Sequence, residues 1–281
     1  MKKNKLLEWT FIALATITSC TNDTVDIYTQ ENEIKLTSEI TPSRVTSLDY
    51  QSTQIVKDQQ VGVTITRAKS EHNNVAWSIG DNGALNNTGE AVYFGDGEAT
   101  ITAYHPYNSA WKECTSYEFS VSTDQSTEEN YRNSDLLWVN TTASITDTPI
   151  SLTFRHKLAK INVTLVCEDI ADLSNAEICI CGTRISTNFN PLTGNLTAVA
   201  NNIAKIKASV TTEKAYTGSV IIVPQTVKKG TQLIKITHNN KVFHYTLLED
   251  MEYKSGHLYD YSLQVKDSNI ENPIEGEESE W

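Results

Sequence analysis

Long apolar runs are missing from this 281-residue chain. None approaches the roughly 20 consecutive apolar residues that a membrane-spanning helix requires. Positive charge is scarce too: 23 Lys and Arg stand against 35 Asp and Glu, a formal net charge of -12. Readers of nucleic acid concentrate basic residues against phosphate, so this balance argues against a nucleic-acid partner. No stretch of about ten or more residues carries the 3.6-residue apolar period of an amphipathic helix. There is no G-x-S-x-G, no H-E-x-x-H and no phosphate-cradling Gly-rich loop. The 6 histidines are scattered, and no two sit at metal-ligand spacing on a helix. The Asp81 and Asp96 turns lack the carboxylate density that calcium demands. The expectation is a chain without metal or cofactor, and not an enzyme.

Period-two alternation is what the sequence does contain. Val61, Val63 and Ile65 alternate with small or polar residues, as do Tyr117, Phe119 and Val121, and Tyr259, Tyr261, Leu263 and Val265. This is the signature of half-buried strands. Turn chemistry separates them: Gly80-Asp-Asn-Gly83, Gly95-Asp-Gly97, and above all His238-Asn-Asn-Lys241, where two asparagines tolerate the positive φ of a type I′ hairpin. Further strands are expected at Glu33–Ile40, Val75–Ile79, Ala91–Phe94, Ala99–Tyr104, Ser134–Val139, Ala176–Cys181, Leu196–Val199, Ser219–Val223, Leu233–Thr237 and Val242–Leu247. Ser126 followed by Glu129 matches a capping box and predicts one helical turn in an otherwise polar stretch.

The centre of the chain carries a phase change. In Ile150–Val166, the residues Ile150, Leu152 and Phe154 are even-numbered, whereas Ile161, Val163 and Leu165 are odd-numbered. A uniform strand cannot hold both sets on one face. The chain must therefore bulge or change sheets between Arg155 and Lys160, with Arg155, His156 and Lys157 as junction residues. Strands with frequent turns on both sides of this point read as all-β, in two tandem β-sandwich domains over 32–154 and 155–266, followed by an acidic tail over 267–281.

The first residues look like a targeting device. Lys2, Lys3 and Lys5 precede a short apolar run, and Ile17-Thr-Ser-Cys20 resembles the bacterial lipobox, in which the cysteine becomes the lipid-modified first residue. Residues 1–19 then read as a lipoprotein signal peptide, 20–31 as a tether, and Cys20 as the lipidation site that holds the chain to a membrane through acyl chains. Of the other cysteines, Cys179 and Cys181 face the same way on one strand, too far apart to bridge each other comfortably. Together with Cys114 and Cys167 they read as small buried hydrophobes, with a cross-strand disulfide left open. The sequons at Asn86, Asn140, Asn162 and Asn195 read as chance matches in a Thr-rich β-protein. Trp77 and Trp138 lie in apolar strands and predict core packing. Trp111 lies in the polar segment Asn108-Ser-Ala-Trp-Lys112, which makes it the candidate ligand contact, for instance with a glycan.

Five motifs in order carry a family resemblance: Ala103-Tyr-His-Pro-Tyr107; Asp124-Gln-Ser-Thr127 with Ser134-Asp-Leu-Leu-Trp138; Leu152-Thr-Phe-Arg-His-Lys-Leu-Ala-Lys-Ile161; Val223-Pro-Gln-Thr-Val227; and Ser255-Gly-His-Leu-Tyr-Asp-Tyr261. Over residues 50–266 the chain resembles the fimbrillin family, the Mfa-like and type V pilin subunits of Bacteroidota. The resemblance implies two transthyretin-like β-sandwiches and export as a palmitate-bearing lipoprotein to the outer membrane and cell surface. It also implies assembly into a fimbrium for adhesion. A protease would cut after an arginine, here Arg44, and release a first strand carrying Ile34, Leu36 and Ile40. Another fimbrial subunit would fill the vacated groove by strand addition. The candidate donor residues are Tyr259, Tyr261, Leu263 and Val265, with Ile270 and Ile274 amid the tail glutamates. A host protein or glycan is the further partner this implies. The competing reading is a surface glycan-binding lipoprotein that does not polymerise.

Overall fold

A computed structural model describes residues 33–41, 53–67, 70–95, 97–112, 115–167, 173, 175–199, 202–212, 216–266, 269–274 and 278–281. Cys20, Arg44, Asp96 and Cys114 lie outside them.

The chain is all-β, as its alternation predicts. Its first strands are β1 (Leu36–Ile40), β2 (Gln60–Arg67), β3 (Ser70–Ile79), β4 (Ala84–Asn87) and β5 (Ala99–His105). An excursion follows, with β6 (Tyr117–Ser120) and the short α-helix α1 (Glu128–Asn133), before β7 (Leu137–Ala143) and β8 (Ile150–His156) return. Seven of these strands close one sheet on itself in the order β1-β4-β3-β2-β5-β7-β8. Ile34, Leu36, Val61, Val63, Trp77, Ile101, Leu152 and Phe154 fill its interior. Strand Ala91–Phe94 is reduced to one bridge between Tyr93 and Glu33, although Val92 and Phe94 are buried as their apolar character predicts.

The second body begins at β9 (Ala159–Cys167) and continues with β10 (Glu177–Arg184), β11 (Ser186–Phe189), β12 (Leu196–Ala198), β13 (Ile203–Lys207), β14 (Ser209–Thr211) and β15 (Tyr216–Ile222). Then come β16 (Gln225–Val227), β17 (Gln232–His238), β18 (Lys241–Thr246), β19 (Met251–Tyr253), β20 (His257–Lys266), β21 (Asn269–Ile274) and β22 (Glu278–Glu280). One sheet runs β14-β15-β9-β20-β21, with β22 also on β20, and a second runs β13-β10-β17-β18. Gly218 on β15 lies under Ile178 on β10, where a Cβ would come within 2.9 Å of Ile178 Cδ1. Glycine there lets the two sheets approach. The Asn239 and Asn240 φ angles are 46° and 62°, and Val242–Thr237 and Lys241–His238 are paired, as the hairpin signal predicts.

The parity switch resolves into a change of sheet. Leu152 and Phe154 of β8 are buried in the barrel core, and after Leu158 the chain enters β9 of the other sheet with Ile161, Val163 and Leu165 buried in the second core. Two departures are physical. Tyr104, Trp111, Phe119, Val121, Tyr131 and Leu136 pack into the second core rather than the first, because β6 pairs with β11 across the junction. Within the acidic tail, β21 and β22 both pair with β20, main-chain bonding that does not depend on apolar alternation. The helix cap sits one residue later than the capping box suggests. Thr127 Oγ1 accepts from Asn130 N–H, so Ser126 instead donates to Asp124 Oδ1.

Candidate functional site

β1 is the strand that closes the barrel. It pairs parallel with β8 over five residues, from Leu36 opposite Ile150 to Ile40 opposite Phe154. On its other side it pairs antiparallel with β4 through only Leu36–Leu85 and Thr37–Ala84. Ile34, Leu36 and Ile40 are all buried, each 2% exposed, while Glu39 faces solvent. The same inward row includes Ser38, whose hydroxyl donates to Gly83 O at 3.1 Å. Sequence alternation missed it because Ser38 is polar, yet that bond satisfies it in the core. Beyond the strand, Thr41 N–H donates to Phe154 O and Ile40 N–H to Thr53 O, both at 2.8 Å. The two ends of the segment that contains Arg44 are therefore held side by side. A cut between them would leave β1 attached by packing and hydrogen bonds alone.

The candidate donor residues fall into two groups. Tyr259, Tyr261 and Leu263 are buried on β20, which is flanked by β9 on one side and by β21 and β22 on the other. The β20–β9 ladder is parallel and runs from Leu258–Lys160 to Val265–Cys167. Tyr253 and Tyr261 share a hydroxyl–hydroxyl bond of 2.7 Å, and Tyr259 Oη donates to Glu252 O at 3.0 Å while accepting Lys254 N–H at 2.8 Å. Burial and the neighbouring tyrosines push the Tyr253 phenol far above its usual range. β20 is thus a central strand of its own body. Ile270 and Ile274 belong instead to β21, at the sheet edge.

At the junction of the two bodies, His156 Nδ1 lies 2.8 Å from Asp135 Oδ1, both groups buried. The indole of Trp281 stacks on that imidazole, and the Lys160 ammonium lies 5.7 Å from the indole centroid. This cluster ties β8, β9 and the stretch after α1 to the end of β22.

Trp111 does not occupy an exposed loop. It is 6% exposed and stacked between Tyr104, at 5.0 Å, and Tyr117, at 5.2 Å. Both ring faces are covered, which removes the stacking platform that a sugar would need. Its local sequence is polar, and only the fold brings the tyrosines to it. Trp77 is buried, and Trp138 Nε1–H donates to Pro191 O at 2.8 Å. Cys179 and Cys181 are free thiols, and burial together with Glu177 pushes the Cys179 thiol up to about 12. Among the described residues no group of three or more His, Cys, Asp or Glu is placed to hold a metal ion.

An all-β chain with two apolar cores, and a short first strand closing a barrel far from its sequence neighbours, defines the class. The chain belongs to the fimbrillin-like family, whose profile matches residues 43–281. Its fold is similar to that of a protein from Bacteroides ovatus assigned to cell adhesion, at 19% identity and a TM-score of 0.70 over 89% of this chain and 98% of that one. A counterpart from Bacteroides uniformis gives 16% identity and a TM-score of 0.66 over 89% and 99%. The tip fimbrial protein Mfa3 from Porphyromonas gingivalis, with C-terminal truncation, gives 10% and 0.52 over 89% and 100%. No curated protein sequence matches the chain.

Proposed function

We propose that this chain is a fimbrial subunit with a structural or adhesive role, exported as a lipoprotein through Cys20 and assembled at the cell surface by strand addition. In this reading cleavage at Arg44 frees β1, and a segment of a neighbouring subunit replaces it between β4 and β8. The observation that carries it is the position of β1. It is covalently joined to the barrel only through the segment bearing Arg44, and it fills a seam whose two walls are otherwise unpaired backbone edges. An open seam of that kind is a template for another chain. Family membership supports the fimbrial assignment, and the family match begins at residue 43, just past β1.

For the donor, the geometry favours the edge strand β21 and the following β22 over β20. Removing β20 would expose Tyr259, Tyr261 and Leu263 and break the ladder to β9. Releasing β21 and β22 breaks only the two outer ladders to β20 and leaves β20 on β9.

The test is to treat lipid-free precursor with an Arg-specific protease. The expected result is a new amino terminus at Val45 and a ladder of polymers on native gels. Cleavage at Arg44 that leaves a stable monomer, with no exchange of β1, would overturn strand addition.

A further inference from the structure

Cutting at Arg44 does not by itself empty the seam, because β1 remains bound by five ladder pairs to β8, two to β4, and the buried side chains of Leu36, Ser38 and Ile40. The structure has a feature suited to this difficulty. A cleft of about 460 Å³ opens beside the leading end of β1, lined by Ile34, Leu36, Trp77, Leu85, Asn87 and Ala91 among others. It exists because the β1–β4 ladder stops early. After Leu36–Leu85, the next hydrogen-bonded pair of an antiparallel ladder would be Ile34–Asn87. Ile34 N–H turns away instead and donates to Val92 O at 2.8 Å.

Asn87 is left with an open side. Thr88 N–H donates to Ala76 O of β3, and Asn87 pairs with Trp77 across that same ladder. Successive backbone groups of a strand point to opposite sides. The Asn87 N–H and C=O therefore point away from β3, into the cleft. Trp77 and Leu85, 3% and 6% exposed, form its apolar floor. One end of the seam thus already offers half of a strand site, an unpaired edge above an apolar floor, while β1 is still in place.

We propose that this cleft is the docking point at which an extended segment of a second copy first pairs, on the Asn87 edge, before displacing β1 progressively from its Leu36 end. The inference rests on the strand-addition reading and adds how the exchange starts. The incoming segment must run antiparallel to β4, in the direction of β1, with apolar residues at alternate positions to reach the Trp77–Leu85 floor. Displacement of this kind never exposes the whole groove at once. Each new pair replaces an old one.

The probe is a fluorescein-labelled peptide of residues 33–41, the β1 sequence, offered to protein cut at Arg44 and followed by anisotropy. An assisted displacement gives an exchange rate that rises with peptide concentration, whereas spontaneous loss of β1 gives a rate independent of it. Ala91→Trp fills the cleft from an exposed position, and Asn87→Pro deletes the open-edge N–H. Each is expected to slow exchange about five- to ten-fold, the kinetic equivalent of one edge hydrogen bond. Thermal midpoints measured on the uncut variants show that the barrel is intact. Concentration-independent exchange, or unchanged rates in both variants, overturns the docking point while leaving strand addition standing. If the cut wild-type protein never takes up the peptide, strand addition itself fails, and this inference with it.

Discussion

The indole of Trp281 lies flat on the imidazole of His156, ring centroids 3.9 Å apart and planes 15° from parallel. Trp281 N–H also donates to Gly256 O at 2.8 Å, so ring and backbone are both held. The contact joins the end of an acidic tail to the passage between the two bodies. Trp281→Ala is expected to cost about 3 kcal/mol, the usual penalty for truncating a buried aromatic side chain. Trp281→Phe should recover most of it. Urea unfolding of the two variants checks this, and equal stability of wild type and Trp281→Ala would mean that the stack carries no weight.

His156→Ala tests the other half of that cluster. The substitution leaves the Asp135 carboxylate buried without its 2.8 Å partner. Leaving a buried polar group without its partner costs about 1–3 kcal/mol. The double change His156→Leu with Asp135→Leu should be far less damaging, because no polar group is left stranded. A double-mutant cycle on unfolding free energies measures the coupling.

Stability should fall on acidification through His105. Burial pushes this imidazole down to about 4, and nearby Asp135 offsets only part of that. The folded protein keeps it neutral, while the unfolded chain protonates near pH 6.5. Between those two values the unfolded state binds the extra proton, so the contribution is complete above pH 6.5 and lost as pH drops toward 4. The loss is about 3 kcal/mol, at 1.36 kcal/mol per unit of displacement. Unfolding curves at pH 7.5 and 4.5 should show a smaller difference in His105→Gln than in wild type.

Leu36→Ala in the uncut protein should destabilise by about 2–4 kcal/mol, since the residue is buried in the barrel seam. Glu39→Ala on the outward face of the same strand should change stability by less than about 0.5 kcal/mol. Thermal or denaturant unfolding separates the two, and similar effects would mean that β1 is not seated as described.

Alkylation should discriminate between the two thiols of β10. Cys179 is buried beside Glu177, and its thiol is held up to about 12. Cys181 is half-buried, and Lys205 and Lys235 partly offset the upward effect of its burial. Brief iodoacetamide treatment at pH 8 followed by peptide mapping should label Cys181 well before Cys179, because the thiolate is the reacting species.

What the sequence makes legible here is what local pattern controls. The hairpin at Asn239–Asn240 needs only residues that accept positive φ, and the sheet change near His156 follows from counting odd and even positions. The strands that escape notice are those whose pairing does not depend on apolar alternation. β4 ends in Asn86-Asn87, β11 reads Ser-Thr-Asn-Phe, and β22 reads Glu-Ser-Glu, yet all three are held by backbone ladders to neighbouring strands. Trp111 shows the limit in another way: Tyr104 and Tyr117 are near in sequence, but Phe189, 5.6 Å from its ring, arrives from β11. The first strand itself was visible through Ile34, Leu36 and Ile40. Its partner was not, because parallel pairing with β8 leaves no trace in the residues around it.

That pairing also sets an order of events. Thr41 and Phe154, joined by a hydrogen bond, are 113 residues apart along the chain. The ends of such a span meet late, since the entropy of closing a long loop must be overcome before the contact repays it. The β1–β8 ladder is therefore expected to form after the shorter-range ladders of the other five strands. A strand that is last to join has the fewest later contacts built on top of it. In the proposed strand addition, the seam that closes last would for the same topological reason be the one reopened with the least disturbance of the remainder.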